Sequence, residues 1–503
     1  MHVVTGARRD RPPLELLVFV VGAASLGAEI AAARLLAPYF GASTIVWANT
    51  IATVLVSLAA GYWIGGRIAD RAPHRAGLSR LILAAAVLLA AVPFAAGPFL
   101  RASVDAFDSV SIGGFFGSLA GVLALVAVPV LLLGAASPYA VRLTLRRVDE
   151  AGTIAGRLYA ISTAGSLLGT FLSALALIPL IGTRRTFETF ALALALVAAP
   201  ALPRRYLLVP LALAALLALP TGTVKAVAGE RVLLERETPY QYVRVVEAAD
   251  GERRLELNEG LAVHSLYRPG SYLTDDYWDD FLVLPWSVRA APPRRIAILG
   301  NAAGTTARAY GHFFPATAVD GVEIDRELTR LGRRYFDERG PRLRVITADA
   351  RPFLSSVRTR YDAIVLDAYR QPYIPFYLTT REFFSLARAR LARGGVVMIN
   401  VGHPSGSQRL ERVLAATLRA AGFQTVLRDA VESTNTLLLA TDARATGLRA
   451  ATPRLPVALR KLGADVAGRL APAPRGGEVY TDDRAPVEWL IDSSLVSYAA
   501  GRR

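Results

Sequence analysis

The sequence predicts two architectures in one chain: an α-helical membrane domain over residues 1–220, then an α/β half built on a doubly wound sheet. Three observations carry this. Hydrophobic residues make up 53% of the 503, and apolar runs long enough for a hydrocarbon core of about 30 Å crowd before residue 220. Beyond that point the composition is ordinary, and short apolar runs alternate with helical patterns, as parallel strands joined by crossover helices do. One such alternation, Arg294 to Asp325, contains a glycine-bracketed strand-to-helix turn.

In the first half, candidate spans are Leu14–Leu36, Ser43–Ile64, Leu78–Leu100, Gly114–Leu133 and Leu158–Ile181. Two shorter runs, Phe187–Ala201 and Leu207–Leu219, follow. Glycine, alanine and serine are frequent within them, as close helix packing in lipid favours. Arginines cluster before span one (Arg8, Arg9, Arg11), after span two (Arg67, Arg71, Arg75) and after span four (Arg142, Arg146, Arg147). The loop after span three holds Asp105 and Asp108 instead. The positive-inside rule then puts the N-terminus in the cytoplasm of a multi-pass inner (plasma) membrane protein. Six crossings return the chain there near Pro203; a seventh, Leu207–Leu219, would place the second half outside, but that run is short for a span, so the second half is expected on the cytoplasmic face. Glu29 and Arg34 are intramembrane charges, read as a buried pair or a ligand contact.

The formal charge of +16 fits arginine at membrane borders and attraction to a lipid bilayer. Lys225 and Lys461 are the only lysines, and no aromatic-interleaved basic strip occurs, so nucleic acid is not an expected partner. The chain has no cysteine, which excludes disulfides, thiolate metal sites and a cysteine nucleophile. No metal is expected.

The second half opens with strand-like runs, RVLLERE, QYVRVVEA, RLELNE and LAVHS, with a hairpin turn at Ala249-Asp250-Gly251. These predict a small antiparallel β domain over 221–285. LTDDYWDDF follows, with Asp275, Asp276, Asp279 and Asp280 around Tyr277 and Trp278. It reads either as a receiver for a cationic ligand or as a helix start with acids near its dipole. Residues 286–503 then predict a Rossmann-like doubly wound sheet. Gly300 and Gly304 bracket the first turn, and Glu323 and Asp325 lie about twenty residues on, where ribose hydroxyls are held in nucleoside sites. Asp349 and Asp367 end the next two strands. Ligands in such sheets lie beyond the carboxyl ends of strands, and all these residues sit there. Asp367 ends YDAIVLDAY and is the candidate base, with Tyr277 orienting the nucleophile; the alternative for Asp367 is a turn cap.

At these residues the second half resembles the spermidine synthase family, and the whole chain resembles its membrane-fused branch. The family's Tyr-Gln pair falls on Tyr240-Gln241, its Tyr-His-Glu triplet on Tyr277-Trp278-Asp279, and its glycine loop on Gly300–Thr305. Its ribose glutamate falls on Glu323, its adenine-reading Asp-Ala on Asp349-Ala350, and its catalytic aspartate on Asp367. The resemblance implies a sheet of the class I methyltransferase type and decarboxylated S-adenosylmethionine as co-substrate. It also implies aminopropyl transfer to an amine acceptor and a homodimer. Gln241, Gly300, Gly304, Glu323, Asp325, Asp349 and Ala350 would hold the donor; Asp276, Asp279 and Tyr369 would face the acceptor. Two departures stand out: the family's loop aspartate is Ala303, and a second acid aligns with Arg370. Both remove charge that grips cationic groups, which leaves S-adenosylmethionine itself, and hence a methyltransferase, as an alternative. A similar tail, TDDRAPVEW, occurs in the membrane-fused branch; Asp482, Asp483 and Glu488 fit helix capping and arginine pairing, or closure of the pocket. The first half resembles six helices of the major facilitator superfamily. Gly65, Gly66, Arg67, Asp70 and Arg71 match that family's loop after helix two, and Gly182, Arg184 and Phe187 match its turn after helix five. This leaves a transporter-like protein with a nucleoside-sensing domain as the remaining alternative.

Overall fold

The computed structural model describes residues 12–40, 44–108, 116–219, 230–258, 263–369, 374–431, 434–445 and 447–499. Arg8, Arg9, Arg11 and Arg370 lie outside the described residues. The chain divides into two compact units: Met1–Asp108 with Gly113–Lys225 and Arg236–Gln241, and Ser109–Ile112 with Ala226–Glu235 and Tyr242–Arg503.

The first unit is helical. Among the described residues, five stretches are long and apolar enough to cross a membrane: Leu14–Ala37, Val46–Arg71, Arg75–Leu100, Ala127–Thr144 and Val148–Ala201. The last is folded at Gly182, whose φ of 85° breaks the helical run and sends the chain back as a second arm. Small residues set the packing. A Cβ placed on Gly22 would lie 2.3 Å from the Ser162 carbonyl oxygen, and one on Gly169 would lie 2.0 Å from that of Ala23. The Leu14–Phe40 and Ala151–Leu172 helices therefore touch backbone to backbone, as small-residue seams in lipid allow. Arginines tie one end of the unit together: Arg142 pairs with Asp70, Arg157 with Glu15, and Arg75 donates to the Pro12 carbonyl. At the other end of the first helix, Arg34 donates to the Pro239 carbonyl, and the Thr183 N–H donates to Glu237 at 3.3 Å.

The second unit holds two sheets. The small one runs in the order β1 (Arg231–Glu237), β2 (Tyr242–Glu247), β3 (Arg253–Leu257), β4 (Val263–Tyr267). The β2–β3 hairpin closes where Gly251 takes φ 82°. Buried Arg244 and Glu256 face each other across β2 and β3 and are ion-paired, so neither charge is stranded. Val243, Val245, Leu255 and Leu257 cluster with Ala303 and with Leu328 and Leu331 of the helix Arg326–Tyr335.

The large sheet contains β5 (Arg295–Leu299), β6 (Ala318–Glu323), β7 (Leu343–Thr347), β8 (Tyr361–Leu366), β9 (Leu391–Gly402), β10 (Thr425–Asp429), β11 (Asn435–Thr441) and β12 (Ala471–Pro472). Their order is β12-β10-β11-β9-β8-β5-β6-β7. The strands from β5 to β9 are parallel; β11 and β10 are antiparallel additions at one edge. The order reverses between β5 and β8, so the crevice of this doubly wound sheet opens at their carboxyl ends. Two sequence-predicted strands end earlier than expected. β7 stops at Thr347 because Asp349 turns the chain as the N-cap of helix Ala350–Ser356, its carboxylate accepting from the Arg351 N–H. β8 stops at Leu366, leaving Asp367 just past the strand.

Candidate active site

The crevice is built on close approach of two strand ends. Gly300 follows β5 with φ 88°, and a Cβ there would sit 2.5 Å from the Asp367 carbonyl oxygen and from the Ala368 Cα. Only glycine allows this turn and this contact together. The Asp367 N–H donates to the Leu299 carbonyl at 2.9 Å, which fixes the candidate base against the glycine loop. Gly304, also with φ 88°, ends the loop and begins the helix Thr305–Phe313, whose free N–H groups face outward from its first turn.

Three side chains converge on the Asp367 carboxylate. Asn400, near the end of β9, donates at 2.9 Å; the Trp278 indole N–H donates at 3.2 Å; the Tyr277 hydroxyl lies at 3.2 Å. Burial pushes the Asp367 pKa up to about 7, held back by the hydrogen bonds from Asn400, Tyr277 and Trp278. Burial, with the neighbouring Asp367 charge, raises the Tyr277 pKa well above its ordinary value, so the phenol keeps its proton and acts as a donor. The result is a carboxylate poised near neutrality inside a ring of donors, as a general base requires. Tyr369 stands beside it, its hydroxyl donating to the Asn400 carbonyl at 3.0 Å and accepting from the Gly402 N–H at 2.5 Å.

The helix Tyr277–Val283 brings Tyr277 and Trp278 to Asp367. Asp276 is its N-cap, accepting from the Tyr277 N–H at 2.6 Å, and its charge raises the pKa values of both Tyr277 and Asp367. Asp280 anchors the far side to Arg469 at 2.6 Å, and Arg469 also holds Asp429 at 2.9 Å. Burial and the neighbouring Asp429 push Asp280 up to about 8. Asp279 turns into its own loop, taking donors from the Thr274 N–H and hydroxyl and the Asp275 N–H. Of the acidic cluster, then, Asp276 lies beside Tyr277 and Asp367, while Asp279 and Asp280 brace the helix.

Glu323 ends β6 and is 6% exposed. It accepts from the Ala302 N–H at 2.8 Å and the Asp325 N–H at 2.9 Å. Burial raises its pKa to about 7. A carboxylate offers about four lone-pair positions, so Glu323 keeps room for a hydroxyl donor. Asp325 is buried and caps the helix Arg326–Tyr335 by accepting from the Glu327 N–H at 3.0 Å. Asp349 accepts the Tyr377 hydroxyl at 2.7 Å, and Ala350 is buried beside it. Gln241 is buried in the turn joining β1 to β2, where its N–H is held by the Thr238 hydroxyl at 3.0 Å. The tail reaches this region through Asp482, which pairs with Arg351 at 2.6 Å and accepts from the Thr380 hydroxyl at 2.7 Å.

Sequence reasoning missed Asn400 and Ser265. Ser265 of β4 accepts the Ala303 N–H at 2.9 Å, and the Thr305 hydroxyl both accepts from the Leu266 N–H at 2.9 Å and donates to its carbonyl at 3.2 Å. β4 thus clasps the glycine loop. Asn400 left one signal, a lone polar residue near the end of the apolar run GGVVMINV.

Parts of the chain are similar to known proteins. Residues 285–430 match the family model described as spermine/spermidine synthase domain. The probable polyamine aminopropyl transferase of Bifidobacterium longum is 33% identical over 209 residues, which are 41% of this chain and 46% of that protein. Polyamine aminopropyltransferase 2 of Ralstonia nicotianae is 26% identical over 461 residues, 83% of this chain and 84% of that protein, so its match extends into the apolar half. This chain spans less than half the length of the Bifidobacterium relative. Among solved structures, a probable spermidine synthase from Corynebacterium glutamicum matches 52% of this chain and 99% of its own, with 22% identity and a TM-score of 0.40. Residues 285–430 thus resemble a spermine/spermidine synthase domain, on a chain with long apolar helices in its first half.

Proposed function

We propose that this protein transfers the aminopropyl group of decarboxylated S-adenosylmethionine to an amine or polyamine, releasing methylthioadenosine. The observation that carries this reading is the Asp367 carboxylate, pushed up to about 7 and ringed by Tyr277, Trp278 and Asn400 beside the glycine turn. The donor's adenosine lies over Gly300–Gly304, its ribose on Glu323 with Asp325 behind, its adenine near Asp349 and Ala350, and Gln241 touches the nucleoside. The acceptor nitrogen attacks the methylene next to the sulfonium. The new C–N bond forms as the C–S bond breaks, its electron pair goes to sulfur, and the nitrogen's proton passes to Asp367. Tyr277 and Tyr369 orient the acceptor amine, with Asp276 supplying attraction for a cation. Holding the amine in line with that carbon supplies much of the rate.

The names of the Bifidobacterium and Ralstonia relatives support the same reaction class. The loop lacks the family's aspartate at Ala303, which weakens the grip on a cationic donor, and Arg370 aligns with a second missing acid at the acceptor end, so an acceptor of lower charge than putrescine fits better. The apolar helices anchor the enzyme in the bilayer, N-terminus and second unit on the cytoplasmic face, and a homodimer is the assembly inferred from the family.

Product identity tests the reading. Full-length protein in detergent, supplied with decarboxylated S-adenosylmethionine and a panel of amines, is expected to release methylthioadenosine. Release of S-adenosylhomocysteine from S-adenosylmethionine instead would make it a methyltransferase. Donor binding without turnover would leave only a sensing domain. Protease protection at Lys461 in sealed vesicles reports the face.

A further inference from the structure

The carboxyl ends of β5 and β8 hold the candidate active site; the opposite edge of the same sheet holds a second concavity. A cavity of about 530 Å³ opens where the chain enters β5 and β6, lined by Arg294, Phe313, Phe314, Arg454, Arg460 and Trp286 among others. That volume lies within the range that holds small organic ligands. Its lining contains three arginines and no acidic residue.

We propose that this cavity is a second binding site, for a small organic phosphate or carboxylate carried on a flat apolar body. Two independent features converge on that chemistry. The first is charge. Among the described residues the guanidinium groups of Arg294, Arg454 and Arg460 form no ion pair, and that of Arg460 donates to the Leu455 carbonyl at 3.2 Å. The nearby carboxylate, Asp362, is already held by Arg289 at 2.7 Å and by the Arg294 N–H at 2.7 Å. Guanidinium groups match phosphate and carboxylate oxygens in pairs. The second is an unmet donor. Trp286 is 3% exposed, and its indole N–H has no hydrogen-bond partner. Indole nitrogen is donor-only, and a buried donor without an acceptor is costly; a ligand oxygen that reached it by a small shift of the cavity wall would remove that cost. Trp286 and Phe314 lie with ring centroids 6.2 Å apart and provide the apolar wall for a flat ligand body.

The site stands apart from the proposed reaction, since none of these residues belongs to the donor or acceptor machinery. It follows that its occupancy and the aminopropyl transfer are separately testable.

The experiment is calorimetric titration of the full-length protein in a non-ionic detergent at low salt, with phenyl phosphate as probe. Saturable binding is expected, weakened at least about tenfold in the double variant Arg454→Glu/Arg460→Glu. Trp286→Phe, which keeps the ring and removes the donor, should weaken it by a smaller factor. Benzyl alcohol, the same ring without charge, should not bind measurably. Arg454 and Arg460 are exposed, so the double variant should keep the parent's melting temperature, which checks its folding. Dihexanoylphosphatidylglycerol is the second probe: binding tighter than phenyl phosphate assigns the site to a lipid phosphate, weaker binding to a soluble aryl anion. Phenyl phosphate that fails to bind, that binds no better than benzyl alcohol, or that binds the folded double variant as tightly as the parent overturns the proposal.

Discussion

The Asn400 side chain donates to Asp367 at 2.9 Å while its own carbonyl accepts from Asn435 at 2.8 Å, so an amide relay ends on the candidate base. A base works only when ionised, and a donor stabilises the ionised form. Asn400→Ala removes that donor and raises the Asp367 pKa above about 7. A hydrogen bond to a charged group contributes about 1.5–3 kcal/mol, or roughly one to two pH units. The acidic limb of the kcat/KM profile should therefore move up by that amount, with activity falling at pH 7 and recovering toward pH 9. An unmoved limb would separate Asn400 from the chemistry.

Asp367→Asn keeps size but cannot take a proton, and its NH2 replaces one acceptor oxygen by a donor. Turnover should drop by about 10²–10⁴-fold. Methylthioadenosine affinity, measured by calorimetry, should stay close to the parent's. Equal loss of both would make Asp367 a structural support of the pocket instead.

Gly300→Ala places a methyl 2.5 Å from the Asp367 carbonyl oxygen at a φ of 88°. The left-handed backbone costs about 1–2 kcal/mol for an L residue, and the steric contact adds to it. A lower melting temperature with a larger loss of kcat is expected, because the methyl pushes the glycine loop away from the base. A variant with parental kinetics would rule out this contact as the reason for glycine.

Glu338 lies under the same loop, 3% exposed, its carboxylate accepting from Asn301 at 2.5 Å. Burial raises its pKa to about 8, against 4.5 for a free glutamate. Between those values the folded state binds more protons than the unfolded state. Its stability contribution is therefore complete below about pH 4.5 and is lost as pH rises through 8. Glu338→Gln keeps an acceptor for Asn301 and removes the titration. Its melting temperature should exceed the parent's by a margin that grows from pH 5 to pH 8.5. Parallel curves for the two proteins would refute the buried proton.

The tail is fastened by Asp482, which bridges Arg351 and Thr380. The pair is partly exposed, with side chains 25% and 45% accessible, so its worth is at most about 1 kcal/mol. Asp482→Ala should lower the melting temperature slightly and speed proteolysis near residues 474–484, with kcat unchanged. A large loss of kcat would show that the tail closes the pocket.

Strands β5 to β11 were readable because each is a short, largely apolar run ending at or near glycine or acid, whereas the two-residue β12 left no such pattern. Glu323 and Asp367 could be singled out since both interrupt such runs at one sheet edge. The acids were harder to sort. Asp279, Asp325 and Asp349 have the same signature as ligand groups, yet each holds local N–H groups. An acid after a strand and before a helix serves capping and ligand binding equally well, and sequence does not separate the two. Asn400 stood out only as a lone polar residue in an apolar run, because its meaning depends on β9 lying beside β8, and its bond to Asp367 spans 33 residues. The Ser265 clasp was hidden likewise, since it joins a hairpin strand to a loop 38 residues on.

That clasp bears on how a water-soluble fragment should be cut. The matched family region begins at residue 285, yet the loop expected to cradle the nucleoside takes a serine oxygen from residue 265 and packs on the hairpin before it. A fragment starting at 285 would leave the Ala303 amide and the Thr305 hydroxyl without those partners and uncover Leu328 and Leu331. One starting at about residue 226 retains the whole clamp and is the truncation to express.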